Sequence, residues 1–192
     1  MKLYITSIFD LKKSIKIFIA KLNRILQHFD QFYNEVVVKR GIEPWRTEWR
    51  IAAPDISLGG SVDFVGKCLD GTYAIIDWKR SKNLEANINN GYGRKAKTPL
   101  EHIDDCEGSK YFLQLNLYRY ILQKYYNLNI STMILTSFHP NQAKYFHIDV
   151  PIWENEIESI MSIGDKYFDA TINAPSFLPP QVSSMKSPFK TK

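Results

Sequence analysis

Cysteine is scarce in this sequence, and a long hydrophobic run is missing. Only two of the 192 residues are cysteines, Cys68 and Cys106, and their spacing matches neither a metal-binding motif nor a disulfide framework. We therefore expect free thiols in a reducing intracellular compartment, the cytoplasm or nucleus ahead of the mitochondrion. No run of about 18 apolar residues occurs, and lysines interrupt the N-terminus, so we expect neither a membrane span nor a signal peptide.

Acidic residues are fewer than basic ones, although the difference is small. The chain has 25 Lys and Arg against 20 Asp and Glu, which is a net charge of +5. This excess favours a polyanionic partner without requiring one, because many soluble proteins are equally basic. Hydrophobic residues make up 44% of the chain and aromatic residues 14%, a composition typical of a folded globular domain.

The length and the distribution of prolines predict one domain and a tail. A chain of 192 residues can bury one sizeable core. Four of the nine prolines lie after residue 174, together with three lysines. We predict a single domain over 1–174, with a helical part over 1–44 and a core over 45–174, followed by a flexible basic tail over 175–192.

Hydrophobic periodicity predicts helices at both ends and in the middle of the chain. Apolar residues recur at helical spacing over 7–40 (one helix or two in tandem), 109–126 and 153–171. Strand-like segments are 46–52, 59–67, 72–80, 132–138 and 144–150. The order α-βββ-α-ββ-α predicts an α/β fold with a central mixed sheet flanked by helices.

Asp77, Trp78 and Lys79 lie at the end of the third predicted strand. Because strand side chains alternate, Asp77 and Lys79 share one face and Trp78 takes the other. Residues 73–76 before them are apolar, and charged groups at the end of a buried strand are costly unless they are paired or used. Taken alone, this pattern is common by chance, and an ordinary salt bridge is the better explanation.

A second aspartate, Asp63, lies in the neighbouring strand segment. A three-residue loop over 69–71 with a left-handed Gly71 would pair Asp63 directly with Asp77, whereas a two-residue turn would put them on opposite faces. Carboxylates placed opposite each other destabilise a sheet unless a cation lies between them. Two carboxylates and a lysine on adjacent strands meet the needs of Mg²⁺-assisted phosphodiester hydrolysis.

Three segments resemble motifs II, III and IV of the PD-(D/E)XK nucleases: residues 60–63, 75–81 and 114–118. The most similar branch is the RecB and lambda-exonuclease-like group, which includes the mitochondrial genome maintenance exonuclease and nuclease domains of large DNA viruses. The resemblance covers about 45–126. It implies a restriction-endonuclease-like core, metal binding by Asp63 and Asp77, and a catalytic role for Lys79.

The resemblance also implies roles for Gln114, Tyr118 and Glu48. Gln114 and Tyr118 are four residues apart and share a helix face, and the family places this pair towards the active site. A surface amide and a core tyrosine are the alternative. Glu48 matches a glutamate upstream of motif II that would complete the metal shell, although it can equally be an edge-strand charge. His28 is a candidate from the preceding helix, with no motif around it.

A basic segment follows the catalytic strand. From residue 79 to 97 six residues are basic and one is acidic, while 101–107 has four acidic residues and no basic one. A basic segment with an aromatic side chain suits binding of a nucleic-acid strand, although a solvated loop would show the same charges. The predicted nucleic-acid-binding residues are Arg80, Lys82, Tyr92, Arg94, Lys95 and Lys97.

Together, the motifs and their resemblance predict a Mg²⁺-dependent nuclease that hydrolyses DNA, with Mn²⁺ accepted as a substitute. By resemblance to the branch we expect an exonuclease or flap-type enzyme of replication, repair or recombination, with DNA as partner and no small-molecule cofactor. The alternative is a non-catalytic nucleic-acid-binding domain on the same fold. The intact set of Asp63, Asp77 and Lys79 favours the enzyme, because a binding domain has no need of all three.

Overall fold

The structure is a computed structural model that describes residues 2–89 and 91–167. The predicted tail over 175–192 lies outside the described residues. The helices are α1 (Lys2–Phe32), α2 (Leu84–Asn87), α3 (Glu107–Tyr126) and α4 (Glu154–Tyr167), with a π-helical turn at Tyr33–Val38 and a 3₁₀ turn at Pro54–Ile56. The strands are β1 (Glu43–Ala53), β2 (Leu58–Lys67), β3 (Tyr73–Lys79), β4 (Ile130–Ser137) and β5 (Phe146–Asp149). The predicted order α-βββ-α-ββ-α is confirmed, with the short α2 as an addition.

The five strands form one mixed sheet in the order β1-β2-β3-β4-β5. Strands β3 and β4 are parallel, and the other neighbouring pairs are antiparallel. A parallel pair needs a long crossover connection, and here that connection contains α3, which packs on one face of the sheet. The fold is therefore α/β with a mixed sheet and flanking helices, as predicted.

Each face of the sheet has its own hydrophobic core. On the α3 face, Ile75 of β3 packs with Val65, Leu115 and Leu122. On the α1 face, Ile76 of β3 packs in the cluster that contains Phe32, Val36, Ile134 and Phe138. Consecutive residues of β3 thus alternate between the two cores. Asp77 and Lys79 belong to the α3 side of the strand, and Trp78 packs against the α1 cluster.

The hairpin between β2 and β3 has the predicted three-residue loop, 69–71. The Cys68 N–H donates to the Thr72 carbonyl oxygen over 2.8 Å. Gly71 is left-handed, with φ +83°, which glycine adopts without steric cost. The strands pair from Lys67↔Tyr73 to Phe64↔Ile76. The predicted register is confirmed for these four pairs.

Of the side chains described for α1, only those near its C-terminal end pack on the sheet. Phe32 is fully buried, and Ile25 and Phe29 pack against the same cluster. Upstream, the apolar side chains stay exposed among the described residues, up to 66% for Phe18. None of the described helices is both long and apolar enough to cross a bilayer.

Candidate active site

Asp77 and Lys79 form an ion pair at the C-terminal end of β3. The Asp77 side chain is almost completely buried, and its Oδ2 lies 2.6 Å from Lys79 Nζ. This oxygen is enclosed by protein and accepts no well-aligned hydrogen bond from the described residues. A buried carboxylate oxygen with spare acceptor capacity has the chemistry of a cation ligand.

Asp63 lies just beyond the last pair of the β2–β3 ladder and contacts the backbone of β3. Val62 and Val65 pack in the α3-side core and Phe64 in the other. Residues three apart lie on opposite faces of a regular strand, so the alternation is broken between Val62 and Val65. The ladder ends at Phe64↔Ile76, and the Trp78 N–H donates to Asp63 Oδ2 over 3.0 Å.

The regular register predicted that Asp63 would pair directly with Asp77. This prediction is wrong, because the ladder ends one pair earlier. Asp63 instead satisfies the backbone N–H of the residue that follows Asp77. The Asp63 carboxylate thus lies beside the backbone of the residue after Asp77, and its charge adds to the rise in the Asp77 pKa that burial causes. Both aspartates lie just beyond the last ladder pair, Phe64↔Ile76.

Burial determines the electrostatics of this pair. Loss of hydration raises the pKa of Asp77 above its ordinary value, the Lys79 ammonium opposes that rise, and Asp63 adds to it. The net result is a raised Asp77 pKa. A buried carboxylate that is held near a second one is stabilised by any cation that binds between them.

Helix α3 completes the site with Gln114 and Tyr118. Gln114 Oε1 accepts a hydrogen bond from Lys79 Nζ over 3.2 Å, and Gln114 Nε2 donates to the Tyr118 hydroxyl over 2.8 Å. The chain Lys79–Gln114–Tyr118 fixes the position of the ammonium group. Gln114 contacts Lys79 as expected, and Tyr118 is linked to Lys79 through Gln114. The catalytic role implied for both residues stays a prediction.

Glycine in β2 allows Tyr118 to come this close to the sheet. A Cβ atom at Gly60 would lie 2.4 Å from Cε1 of Tyr118. Any larger residue at Gly60 therefore displaces the ring. The glycine of the motif II resemblance thus has a packing reason in this chain.

Two further α3 residues, Glu107 and Tyr111, belong to the site and are missing from the sequence prediction. Lys79 Nζ lies 4.6 Å from the centre of the Tyr111 ring. The Tyr111 hydroxyl donates to Glu107 Oε1 over 3.2 Å. Burial raises the Tyr111 pKa, and Glu107 and Asp77 raise it further. Helical spacing is the signal that could have found them, because 107, 111, 114 and 118 follow one face of α3.

Glu48 lies level with Asp63 but on the exposed part of β1. It falls between the pairs Thr47↔Phe64 and Trp49↔Val62 and has a left-handed φ of 48°. In residues 2–89 and 91–167, no group of three or more His, Cys, Asp or Glu side chains is arranged to hold a metal ion. The metal role of Glu48 stays a prediction, and Asp63 and Asp77 are the two carboxylates that the structure brings together.

His28 is buried in α1 and lines a polar cavity with Asn23, Arg24 and Ala143. Its Nδ1 is enclosed and lacks a hydrogen-bond partner among the described residues. Burial lowers the His28 pKa, and the Arg24 charge lowers it further. No residue of the Asp77 and Lys79 site lines this cavity.

The predicted basic segment folds back on its acidic neighbour. The Asp105 N–H donates to the Arg94 carbonyl oxygen, and Lys95 Nζ forms an ion pair with Asp104 Oδ1 over 2.6 Å. The basic and acidic stretches of the sequence therefore pair with each other through the bridge between Lys95 and Asp104. Tyr92 is 79% exposed. Exposed members of the predicted binding set are Arg80, Lys82, Tyr92, Arg94, Lys95 and Lys97.

Comparisons with known proteins give similarity in structure only. No family model and no curated protein matches the chain. A repair endonuclease from Pyrococcus abyssi matches over 55% of this chain and 33% of its own, with 24% identity and a TM-score of 0.31. SSO0001 matches over 76% of this chain and 59% of its own, with 15% identity and a TM-score of 0.32. The chain thus spans about a third and about three-fifths of these two structures.

Proposed function

We propose that this chain is a Mg²⁺-dependent nuclease that hydrolyses phosphodiester bonds of DNA. One observation carries the proposal: a buried carboxylate, Asp77, forms an ion pair with a lysine that Gln114 holds in place, and a second carboxylate, Asp63, binds the N–H of the next residue. A simple ion pair would not need the second carboxylate, which raises the pKa of Asp77 and so opposes its ionisation.

The residues fit a hard divalent cation. Asp77 Oδ2 is buried and contacts Lys79 Nζ in an ion pair without a well-aligned hydrogen bond, and Asp63 uses Oδ2 to accept one backbone N–H. Mg²⁺ is commonly bound through one or two protein carboxylates, with water and substrate oxygens as its other ligands. Asp63 and Asp77 would hold the ion, which when bound supplies charge neutralisation and a water of lowered pKa.

Gln114 and Tyr111 position the ammonium group of Lys79. Lys79 is held by Gln114 Oε1 and by the face of Tyr111, so its ammonium group is confined near Asp77. In this position it can neutralise a scissile phosphate oxygen or orient the attacking water. Tyr118 supports the amide of Gln114 through its hydroxyl. Orientation of Lys79 is therefore the proposed task of α3.

The finer assignment rests on the motif resemblance. Residues 60–63, 75–81 and 114–118 resemble an exonuclease-rich branch, so an exonuclease or flap-type activity on DNA is the specific form that we propose. Arg80 and Lys82 directly follow the catalytic strand and are exposed, which suits contact with backbone phosphates. Mn²⁺ is expected to replace Mg²⁺, since both prefer oxygen ligands.

A non-catalytic nucleic-acid-binding domain is the second candidate. It is favoured by the Asp77–Lys79 ion pair, which already neutralises both groups, and by the lack of a third acidic ligand among the described residues. Such a domain would bind DNA equally well with and without a divalent cation. A nuclease would cut it only with the cation.

The test is cleavage of end-labelled single- and double-stranded DNA in Mg²⁺, in Mn²⁺ and in EDTA. We expect product in either metal and none in EDTA. Asp63→Asn should abolish the product, and Asp30→Asn, a matched change at an exposed position of α1, should not. Binding that survives in EDTA without cleavage in any metal would support the binding domain.

A further inference from the structure

A second cavity lies on the α1 side of β3 and shares Lys79 with the candidate active site. Its volume is 380 Å³, which is within the range of small-ligand sites. The apolar part of its wall consists of Ile25, Leu26, Phe29, Trp78 and Phe138. Lys79 and Arg80 provide its charged edge. The Lys79 ammonium group contacts Asp77 and Gln114 on the α3 side of β3, so the cavity and the candidate active site lie on opposite faces of the same strand end.

The aromatic side chains of this cavity are fixed against each other. The Phe29 ring lies edge-to-face with Trp78 at 5.9 Å and with Phe138 at 5.8 Å between ring centres. Phe29 and Trp78 are only half-buried, and Leu26 at the rim is 52% exposed. The cavity is therefore a preformed aromatic surface that a planar apolar group can reach.

The rim of the cavity is cationic and draws on three elements. Arg80 lines the cavity, Lys82 lies two residues after it, and Lys21 is one helical turn before Ile25 on α1. Burial and these three charges lower the pKa of His139, the residue after Phe138. Lys21 belongs to α1, Arg80 and Lys82 follow β3, and His139 follows β4. Within the described part of the chain, no acidic side chain pairs with Lys21, Arg80 or Lys82 within 4 Å.

An aromatic cavity with a cationic rim suits a nucleotide of an unpaired strand. Base faces stack on aromatic side chains, and the adjoining phosphates are attracted to lysine and arginine. An apolar peptide would fill the cavity without using the cations. A base inside a duplex could not enter it, because both of its faces are already stacked.

We propose that this cavity binds one unstacked base of the substrate strand, next to the phosphate that lies at Lys79. The proposal rests on the proposed nuclease function and specifies its substrate: the strand is unpaired beside the cleavage site. Leu26, Phe29 and Trp78 contact the base, and Lys21, Arg80 and Lys82 contact the phosphates on its two sides.

The experiment measures binding of a short single-stranded oligodeoxynucleotide to the full chain in EDTA, so that cleavage plays no part. The oligonucleotide is used intact and as a series with one abasic position moved along it. In the wild type, one abasic position should weaken binding by about 5- to 100-fold, the size of a lost base–aromatic stack. The other positions should have small effects.

Leu26→Glu is the test variant, because Leu26 is exposed and its replacement leaves the core intact. It should bind the intact oligonucleotide more weakly and show no remaining abasic effect. Ile15→Glu is the control: Ile15 has a similar exposure of 49% and lies about 16 Å away on the same helix. It should retain the wild-type abasic effect.

Two results would overturn the proposal. One is a wild type that binds every abasic oligonucleotide as tightly as the intact one. The other is a Leu26→Glu variant that keeps the full abasic effect. Cleavage in Mg²⁺ is scored separately: cleavage without an abasic effect refutes only the base cavity, and an abasic effect without cleavage refutes only the nuclease.

Discussion

The two faces of the sheet use the same strand for different purposes. On the α3 face, Lys79 of β3 forms an ion pair with Asp77, a hydrogen bond with Gln114 and a cation–π contact with Tyr111. On the α1 face, β3 presents Trp78 to an aromatic group with few polar contacts. The alternation of side chains along β3 separates chemistry from packing by a single residue.

This difference shows how a small domain can stay folded although its candidate active site is destabilising. A buried carboxylate with a raised pKa opposes folding, and the aromatic core behind it offsets that cost through apolar burial. Changes in the aromatic core of the α1 face should therefore alter mainly stability, while changes to the charge of Asp77 should alter mainly activity. The predictions below run from the largest expected effect to the smallest.

Phe32→Ala should have the largest effect, on stability. Phe32 is fully buried and packs edge-to-face against Phe138 and Tyr145. Removing its ring should lower the free energy of unfolding by about 3–5 kcal/mol, measured by urea denaturation. Phe18→Ala is the matched control on the same helix, since Phe18 is exposed, and it should change stability by less than about 0.5 kcal/mol. Equal losses in the two variants would contradict the described packing of α1.

Asp77→Asn should separate activity from stability on the other face. The change keeps the shape but removes the charge of a proposed metal ligand, so cleavage should fall by at least about 100-fold. The raised Asp77 pKa means that the ionised form opposes folding at neutral pH. In EDTA the melting temperature should therefore stay the same or rise. A clear fall in melting temperature would instead identify the Asp77–Lys79 pair as a structural salt bridge.

Gly60→Ala should disturb the α3 face through Tyr118. The new methyl group would meet the Tyr118 ring at 2.4 Å, which we expect to cost about 1–3 kcal/mol and to loosen Gln114 and Lys79. Both stability and cleavage should fall. In a Tyr118→Ala background the same glycine change should cost little stability, because the clashing ring is absent. An equal cost in both backgrounds would rule out this contact as the cause.

The smallest expected effect is a pH dependence from His28. Its pKa is lowered by burial and by Arg24, so its protonated form is less favourable in the folded state than in the unfolded one. Its contribution to stability is therefore complete above its ordinary pKa of 6.5 and is lost as the pH falls below it. His28→Gln should remove this part of the acid sensitivity. Parallel stability curves for both proteins between pH 7.5 and 5 would contradict the prediction.

Short-range patterns in the sequence predicted much of the site. Gly71 permitted the three-residue loop, and that loop determined which residues of β2 and β3 pair. The four-residue spacing of Gln114 and Tyr118 predicted a shared helix face, and their hydrogen bond confirms it. These features depend on turn geometry and helical periodicity, which are local properties of the chain.

Contacts between distant segments could not be predicted in the same way. Sequence spacing did not show that Lys95 would pair with Asp104, since the pairing depends on how the segment folds back. The position of Tyr111 beside Lys79 depends on how α3 is rotated against the sheet. The exposed apolar side chains of α1 before residue 25 are also unexpected, because periodicity predicts an apolar face but not whether anything covers it.

The sequence by itself determined the order of elements, the β2–β3 hairpin and the placement of Asp77 and Lys79 on one face. All of these follow from periodicities of two and 3.6 residues and from the turn at Gly71. The tertiary structure alone decided that the ladder would end before Asp63, leaving its carboxylate to accept the Trp78 N–H. It also decided how deeply Asp77 is buried. The physical reason is that strand separation and burial depend on side chains packed from both faces of the sheet, and no local window of sequence contains them.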